Sequence, residues 1–200
     1  MTTFTDIELS MTSATAGAYQ SFKLSDFRGQ TVVLYFYPKD STPGCTTESM
    51  GFRDAYAEFE KSNTVIFGIS RDSLKSHDKF KANLGLPFEL ISDTDELLCQ
   101  QFDVIKQKMM YGKQVRGIER STFVINTQGE LVHEWRKVKV DNHVAEVLAT
   151  VQTLSKSSSI PHPSILRDAL QKDTPCHDPK HRPKKAVYLP ISPTQAHQNQ

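Results

Sequence analysis

Up to about residue 155, short apolar runs alternate with longer amphipathic stretches, the order in which strands separated by helices appear along a chain. TVVLYFY (residues 31–37) and TVIFGIS (64–70) are near-continuous apolar runs rich in β-branched and aromatic residues. Such runs predict central strands covered on both faces. STFVIN (121–126) and ELVHEWRKV (130–138), separated by Thr127-Gln128-Gly129, predict a hairpin at the other side of the sheet. Between the first two runs, Phe52, Ala55, Tyr56 and Phe59 recur at helical spacing with charges opposite, which predicts a helix over 45–61. Further helices are expected over 73–84, 94–102 and 141–154, the last with Val144, Val147, Leu148 and Val151 on one face. Asp93 and Asp141 are the expected N-caps of the last two.

Composition adds a boundary to this picture. The chain has 200 residues, 38% hydrophobic and 24% charged, as an ordinary globular domain does. Its longest strictly apolar run, Val32 to Tyr37, is far short of the roughly 20 residues a bilayer helix needs. The opening MTTFTDIELS carries no basic cluster and no apolar stretch, so a cytoplasmic location is expected. Three cysteines argue against a disulfide scaffold. A net charge of +1 speaks against a nucleic-acid binder, yet it hides an asymmetry. Residues 1–155 hold 17 Lys+Arg against 20 Asp+Glu, whereas 156–200 hold 7 against 3, with seven of the ten prolines and none of the nine glycines. The expected organisation is therefore one domain over 1–155 and a basic, proline-rich, partly ordered extension over 156–200. Within that extension SILRDALQK (164–172) could form a short helix and AVYLPI (186–191) an extended strap.

The chemistry concentrates in FYPKDSTPGCTTE (36–48). A buried strand ends there, a Pro/Gly loop follows, and Cys45 falls in the first turn of a helix, where unpaired N–H groups point toward the sulfur. Such a setting favours thiolate over thiol. Thr42 stands three residues earlier, where a redox CxxC motif would place its first cysteine, and the chain has no CxxC. Single-thiolate chemistry is thereby favoured over dithiol exchange.

The pattern Pro38-x-x-x-Thr42-x-x-Cys45 resembles the active-site signature of the peroxiredoxins, and YFYPKDSTPGCTTES resembles that of their bacterioferritin comigratory protein, or Q-type, subfamily. GIERSTFVI (117–125) is similar to the family's arginine-bearing entry to a hairpin strand. The resemblance covers about residues 20–155 and leaves the extension unexplained. It implies a thioredoxin-like α/β fold, a mixed central sheet flanked by helices. It also implies that Cys45 is the peroxidatic nucleophile, oxidised by a hydroperoxide to sulfenic acid. Arg120 would then stabilise the thiolate and the leaving oxygen, Thr42 would hydrogen-bond the peroxide, and Gly44 would help with its backbone N–H. Pro38 would shield the sulfenate, and Glu48 would hold an arginine in place.

Several subfamily members carry a resolving cysteine five residues after the first, where this chain has Met50, and others carry it in the following helix, where this chain has none. The remaining thiols are Cys99, which reads as core beside Leu98 and Phe102, and Cys176 in the extension. Two cycles stay open: an external thiol attacks the sulfenate, or Cys176 does. Expected partners are a hydroperoxide and a reductant such as thioredoxin, glutaredoxin or glutathione, with a monomer, no cofactor, no metal, no nucleic acid and no membrane. Cys176, His177, His181 and His162 fit no common zinc spacing. Lys180 to Lys185 reads as a solvated basic run, Arg116 as a solvated arginine, and Ser92 to Glu96 as helix-start acidity. No GxxxxGK[ST] or GxGxxG is present to cradle a nucleotide. Two other functions remain readable from the same residues: a monothiol oxidoreductase acting on glutathione mixed disulfides, and a non-enzymatic binding module working through its tail.

Overall fold

The apolar run at 31–37 forms strand β3 (Thr31–Phe36), and its alternation divides the molecule into two cores. Val32, Leu34 and Phe36 point into one buried cluster, and Val33, Tyr35 and Tyr37 into the other. A strand covered on both faces needs apolar residues at every position, which is why the run is continuous. The computed structural model describes residues 4–110 and 112–157, so the expectations for 164–172, 186–191, Cys176 and the tail histidines lie outside the described residues.

In chain order the other strands are β1 (Leu9–Thr12), β2 (Tyr19–Phe22), β4 (Thr64–Ser70), β5 (Glu89–Ser92), β6 (Ile105–Met110), β7 (Lys113–Ile118), β8 (Ser121–Ile125) and β9 (Leu131–Trp135). The helices are α1 (Pro43–Lys61), α2 (Leu74–Leu84), α3 (Leu97–Gln101) and α4 (His143–Ser157). Seven strands make one mixed sheet in the order β2-β1-β5-β4-β3-β8-β9, parallel at β5-β4-β3 and antiparallel elsewhere. Strands β6 and β7 form a separate antiparallel pair.

α1, α2 and α4 contribute Phe52, Phe59, Phe80, Val147 and Val151 to the core on one face of the sheet, while α3 contributes Leu98 and Cys99 to the core on the other. Close approach under α1 depends on Gly68 of β4: a Cβ there would lie 2.6 Å from the Tyr35 hydroxyl and 2.7 Å from Leu90.

Local signals decide the helix ends. Ser73 caps α2 by accepting from the Ser76 N–H at 3.3 Å, and Gly85, at φ 61°, ends it in the left-handed conformation. Three expectations need correction. The helix expected over 94–102 is only α3, because Glu96 takes φ 60° and breaks the helical path where Arg71 and Arg116 both bind its carboxylate. Glu96, not Asp93, holds the N-cap position, while the Asp93 carboxylate from further back accepts from the N–H groups of Leu97 and Cys99, each at 2.7 Å. The last helix begins at His143, two residues beyond Asp141, since Asn142 has φ 59°. Arg116 is likewise not simply solvated, being paired to Glu96.

Among the described residues, no helix is long and apolar enough to cross a membrane.

Candidate active site

The site begins where β3 ends. Ser41 has φ 59°, Thr42 is extended at φ −87° and ψ 150°, and Pro43 occupies the first helical position, where its missing N–H costs no intrahelical bond. α1 therefore starts two residues earlier than its apolar spacing suggests. The first helical hydrogen bond runs from the Thr46 N–H to the Thr42 carbonyl at 2.9 Å. The N–H groups of Gly44 and Cys45 precede it and have no acceptor within the helix, so the positive end of the helix lies at Cys45. The Thr42 hydroxyl donates to the Lys39 carbonyl at 3.0 Å and does not cap the helix.

The partner comes from the far side of the sequence. Arg120 leads into β8, which pairs antiparallel with β3, so the start of β8 lies beside the end of β3. There the Arg120 Nη2 donates to Cys45 Sγ at 3.4 Å, and its Nη1 is bound to Glu48 Oε2. One guanidinium thus bridges the sulfur and a carboxylate one helical turn further along α1. Gly44 leaves room for it, since a Cβ at that position would lie 3.1 Å from Nη2. Cys45 and Glu48 are fully buried, while Pro38 is exposed at the strand end. The structure thus brings Cys45, Glu48 and Arg120 into contact, and places Thr42, Pro38 and Gly44 on the segment entering the same helix.

The family model described as AhpC/TSA family matches residues 3–134. The chain belongs to the AhpC/TSA family. It is 57% identical over 128 residues to "Peroxiredoxin Bcp" of Xanthomonas campestris, covering 64% of this chain and 80% of that protein. To "Peroxiredoxin Bcp" of Bacillus subtilis it is 52% identical over 137 residues, 68% of this chain and 87% of that one. Among solved structures, the bacterioferritin comigratory protein of Xanthomonas campestris, studied for its alkyl peroxide reduction activity, superposes with a TM-score of 0.69. Identity there is 50%, over 74% of this chain and 92% of that one. The fold is thus thioredoxin-like, and the chain is a peroxiredoxin, a thiol-dependent peroxidase that consumes peroxide at the expense of a thiol.

In this peroxiredoxin, charge around the sulfur is arranged by burial. Burial pushes the Glu48 carboxyl up from an ordinary 4.5 to about 7, with the charge and hydrogen bond of Arg120 offsetting only part of the rise. Glu48 Oε1 is buried with no hydrogen-bond partner among the described residues. Arg120 is held above its ordinary value, because Glu48 and Cys45 outweigh the burial that works against its charge. The folded state therefore binds the Glu48 proton more tightly than the unfolded chain does. Its stabilising contribution is complete below pH 4.5 and is lost as pH rises through about 7. Glu48→Gln, neutral at every pH, should remove this loss. In urea unfolding of the reduced protein at pH 5 and pH 8, the wild type should lose on the order of 3 kcal/mol more than the variant between the two. Equal pH dependence in both proteins would contradict a buried, weakly compensated carboxyl.

The sequence reading passed over three residues beside the site. His143 packs edge-on to Trp135 and Phe52 with Nε2 2.7 Å from the Thr122 hydroxyl. Burial, with the charge of Arg120 added, pushes its imidazole down to about 4, so it is neutral at pH 7. Asp40 and His77 form a buried pair behind the loop that leads to Cys45. The available signal was His77 itself, three residues from both Leu74 and Phe80, which puts a histidine on the apolar face of α2.

Cys99 is separated from this site by the sheet: it belongs to the core on one face and Cys45 to the core on the other. Burial and the nearby Asp93 carboxylate push its thiol up strongly.

Proposed function

We propose that residues 1–155 carry a one-cysteine peroxidase cycle in which Cys45 is the nucleophile and an external thiol completes the turnover. The contact of Arg120 Nη2 with Cys45 Sγ at 3.4 Å carries this reading. The Cys45 thiolate attacks the terminal oxygen of a hydroperoxide, the S–O bond forms as the O–O bond breaks, and the leaving alkoxide or hydroxide takes up a proton to become alcohol or water. Arg120 supplies fixed positive charge and forked donors where negative charge moves from sulfur to oxygen. The free N–H groups of Gly44 and Cys45 add two more donors, the Thr42 hydroxyl orients the peroxide, and Pro38 covers the sulfenate. Glu48 fixes the guanidinium.

A first external thiol then displaces water from the sulfenic acid to give a mixed disulfide, and a second releases Cys45 as thiol. Cellular dithiols such as thioredoxin or glutaredoxin, or glutathione itself, fit this role, and the substrates are hydrogen peroxide and organic hydroperoxides. The protein acts as a cytoplasmic monomer in redox homeostasis. The placement of Cys99 across the sheet supports external resolution.

The test is the intact mass and peptide map of the reduced protein after one equivalent of hydrogen peroxide with a sulfenic-acid trap present. Trapped sulfenate on Cys45 is the expected product. A disulfide between Cys45 and Cys176 would replace the one-cysteine cycle with resolution by the extension. An unoxidised Cys45 would refute its role as nucleophile.

A further inference from the structure

The loop between β3 and α1 is tied down by a buried polar network that the chemistry above does not use. Asp40, five residues before Cys45, has its carboxylate buried and meets three side chains there. The Tyr37 hydroxyl donates to Oδ1 at 2.7 Å, and the Ser76 hydroxyl donates to Oδ2 at 2.7 Å. His77 Nδ1 lies 3.1 Å from Oδ1 and 2.9 Å from Oδ2. The other ring nitrogen, Nε2, lies 3.1 Å from the Ile91 carbonyl oxygen in β5. The Asp40 backbone N–H donates to Asp72 Oδ2 at 2.8 Å, and that carboxylate also accepts from the Ser70 hydroxyl at 2.7 Å.

The Ile91 carbonyl has no proton to give, so the His77 Nε2–H donates to it, which leaves Nδ1 facing both oxygens of the Asp40 carboxylate. Burial by itself would raise the Asp40 carboxyl, and the bonds from His77, Ser76 and Tyr37 outweigh it and hold the carboxyl below its ordinary value. The groups facing the ring are Asp40 and Tyr37 from the strand end and loop, Ser76 from its own helix and the Ile91 carbonyl from β5; Asp72 faces the loop backbone. His77 has no exposed surface.

We infer that His77 is a positioning residue for peroxide reduction, holding through Asp40 the loop whose geometry sets Cys45 against Arg120. The inference rests on Cys45 being the nucleophile. Asp40 is anchored at its side chain by α2 and at its N–H by the turn after β4, and the next residue, Ser41, must hold φ 59° for Thr42 and Pro43 to start α1. Without the ring, the buried Asp40 carboxylate loses a hydrogen-bonding partner and the loop loses its side-chain anchor. The helix persists, but its first turn and the sulfur within it are no longer held to the geometry the peroxide requires.

The test compares two reactions of Cys45 in the full-length reduced chain: oxidation by hydrogen peroxide, which needs the aligned donors, and alkylation by iodoacetamide, which does not. His77→Gln keeps one donor for Asp40 but replaces the rigid ring, which spans Asp40 and the Ile91 carbonyl, with a flexible amide. It should lower the ratio of oxidation to alkylation rate constants at least about tenfold. In an Asp40→Asn background the same change should move the ratio less than about twofold, because the group through which His77 acts is already altered. An unchanged ratio in a His77→Gln protein, equal losses in both backgrounds, or parallel loss of both rates would overturn the inference. If wild-type Cys45 is alkylated but never oxidised, the nucleophile assignment itself falls and takes this inference with it.

Discussion

Cys45→Ser reduces peroxide consumption to background, a loss on the order of 10³-fold or more, whereas Cys99→Ser turns over at the wild-type rate. The substitution replaces one buried atom and leaves the bond between Arg120 and Glu48 in place, so the fold and the cationic pocket survive. What disappears is the proposed nucleophile, since a serine oxygen cannot be oxidised to the equivalent of a sulfenic acid. Cys99 lies in the opposite core with its thiol pushed strongly up by burial and Asp93, so it neither replaces Cys45 nor closes a disulfide with it. Following peroxide disappearance in excess dithiothreitol measures both variants. Residual turnover in Cys45→Ser above a few per cent of wild type would mean that another group carries the reaction.

Arg120→Met lowers the rate of Cys45 oxidation by about 10²- to 10³-fold, the range for loss of a preorganised donor aimed at transition-state charge. Arg120→Lys recovers only part of this, because one ammonium cannot serve the sulfur and Glu48 together as the two guanidinium nitrogens do. The methionine variant should still fold. Glu48 already titrates near 7 with its partner present, so without Arg120 it takes up a proton in place of standing as a buried bare charge. Rapid-mixing oxidation followed by sulfenate trapping gives the rate of the first step, and adding thiol to preformed sulfenate gives the second. The first step should fall and the second should stay within a few fold. A loss shared equally by both steps would show that Arg120 holds the loop and not the developing charge.

The two substitutions separate the parts of one short chain of contacts, Glu48 to Arg120 to Cys45. Residues 48 and 120 lie 72 positions apart and 45 and 120 lie 75 apart. They meet because β8 runs antiparallel to β3, pairing Ser121 with Phe36, which places the residue before β8 beside the loop after β3.

Much of this was legible before any coordinates. The double alternation of 31–37, the helical spacing of Phe52, Tyr56 and Phe59, and the hairpin at 121–138 each rest on neighbours within a few residues, where side-chain period and turn chemistry act directly. The strands β2 and β7 escaped because their residues are mostly exposed, so no buried face imposed an alternation; backbone pairing makes them strands, and β1, with four residues, is too short to show a period. β5, four residues long, is too short to show a period. The local order Thr42-Pro43-Gly44-Cys45 settled where a helix begins and that its one cysteine sits at the positive end. Which groups meet that sulfur depended on strand order and register: Arg120 against Cys45, His77 against Asp40, and Cys99 on the opposite face of the sheet. Propensity and periodicity act over a few bonds and are written in adjacent residues, whereas a salt bridge or a shared core acts through space between residues brought together only when the sheet closes.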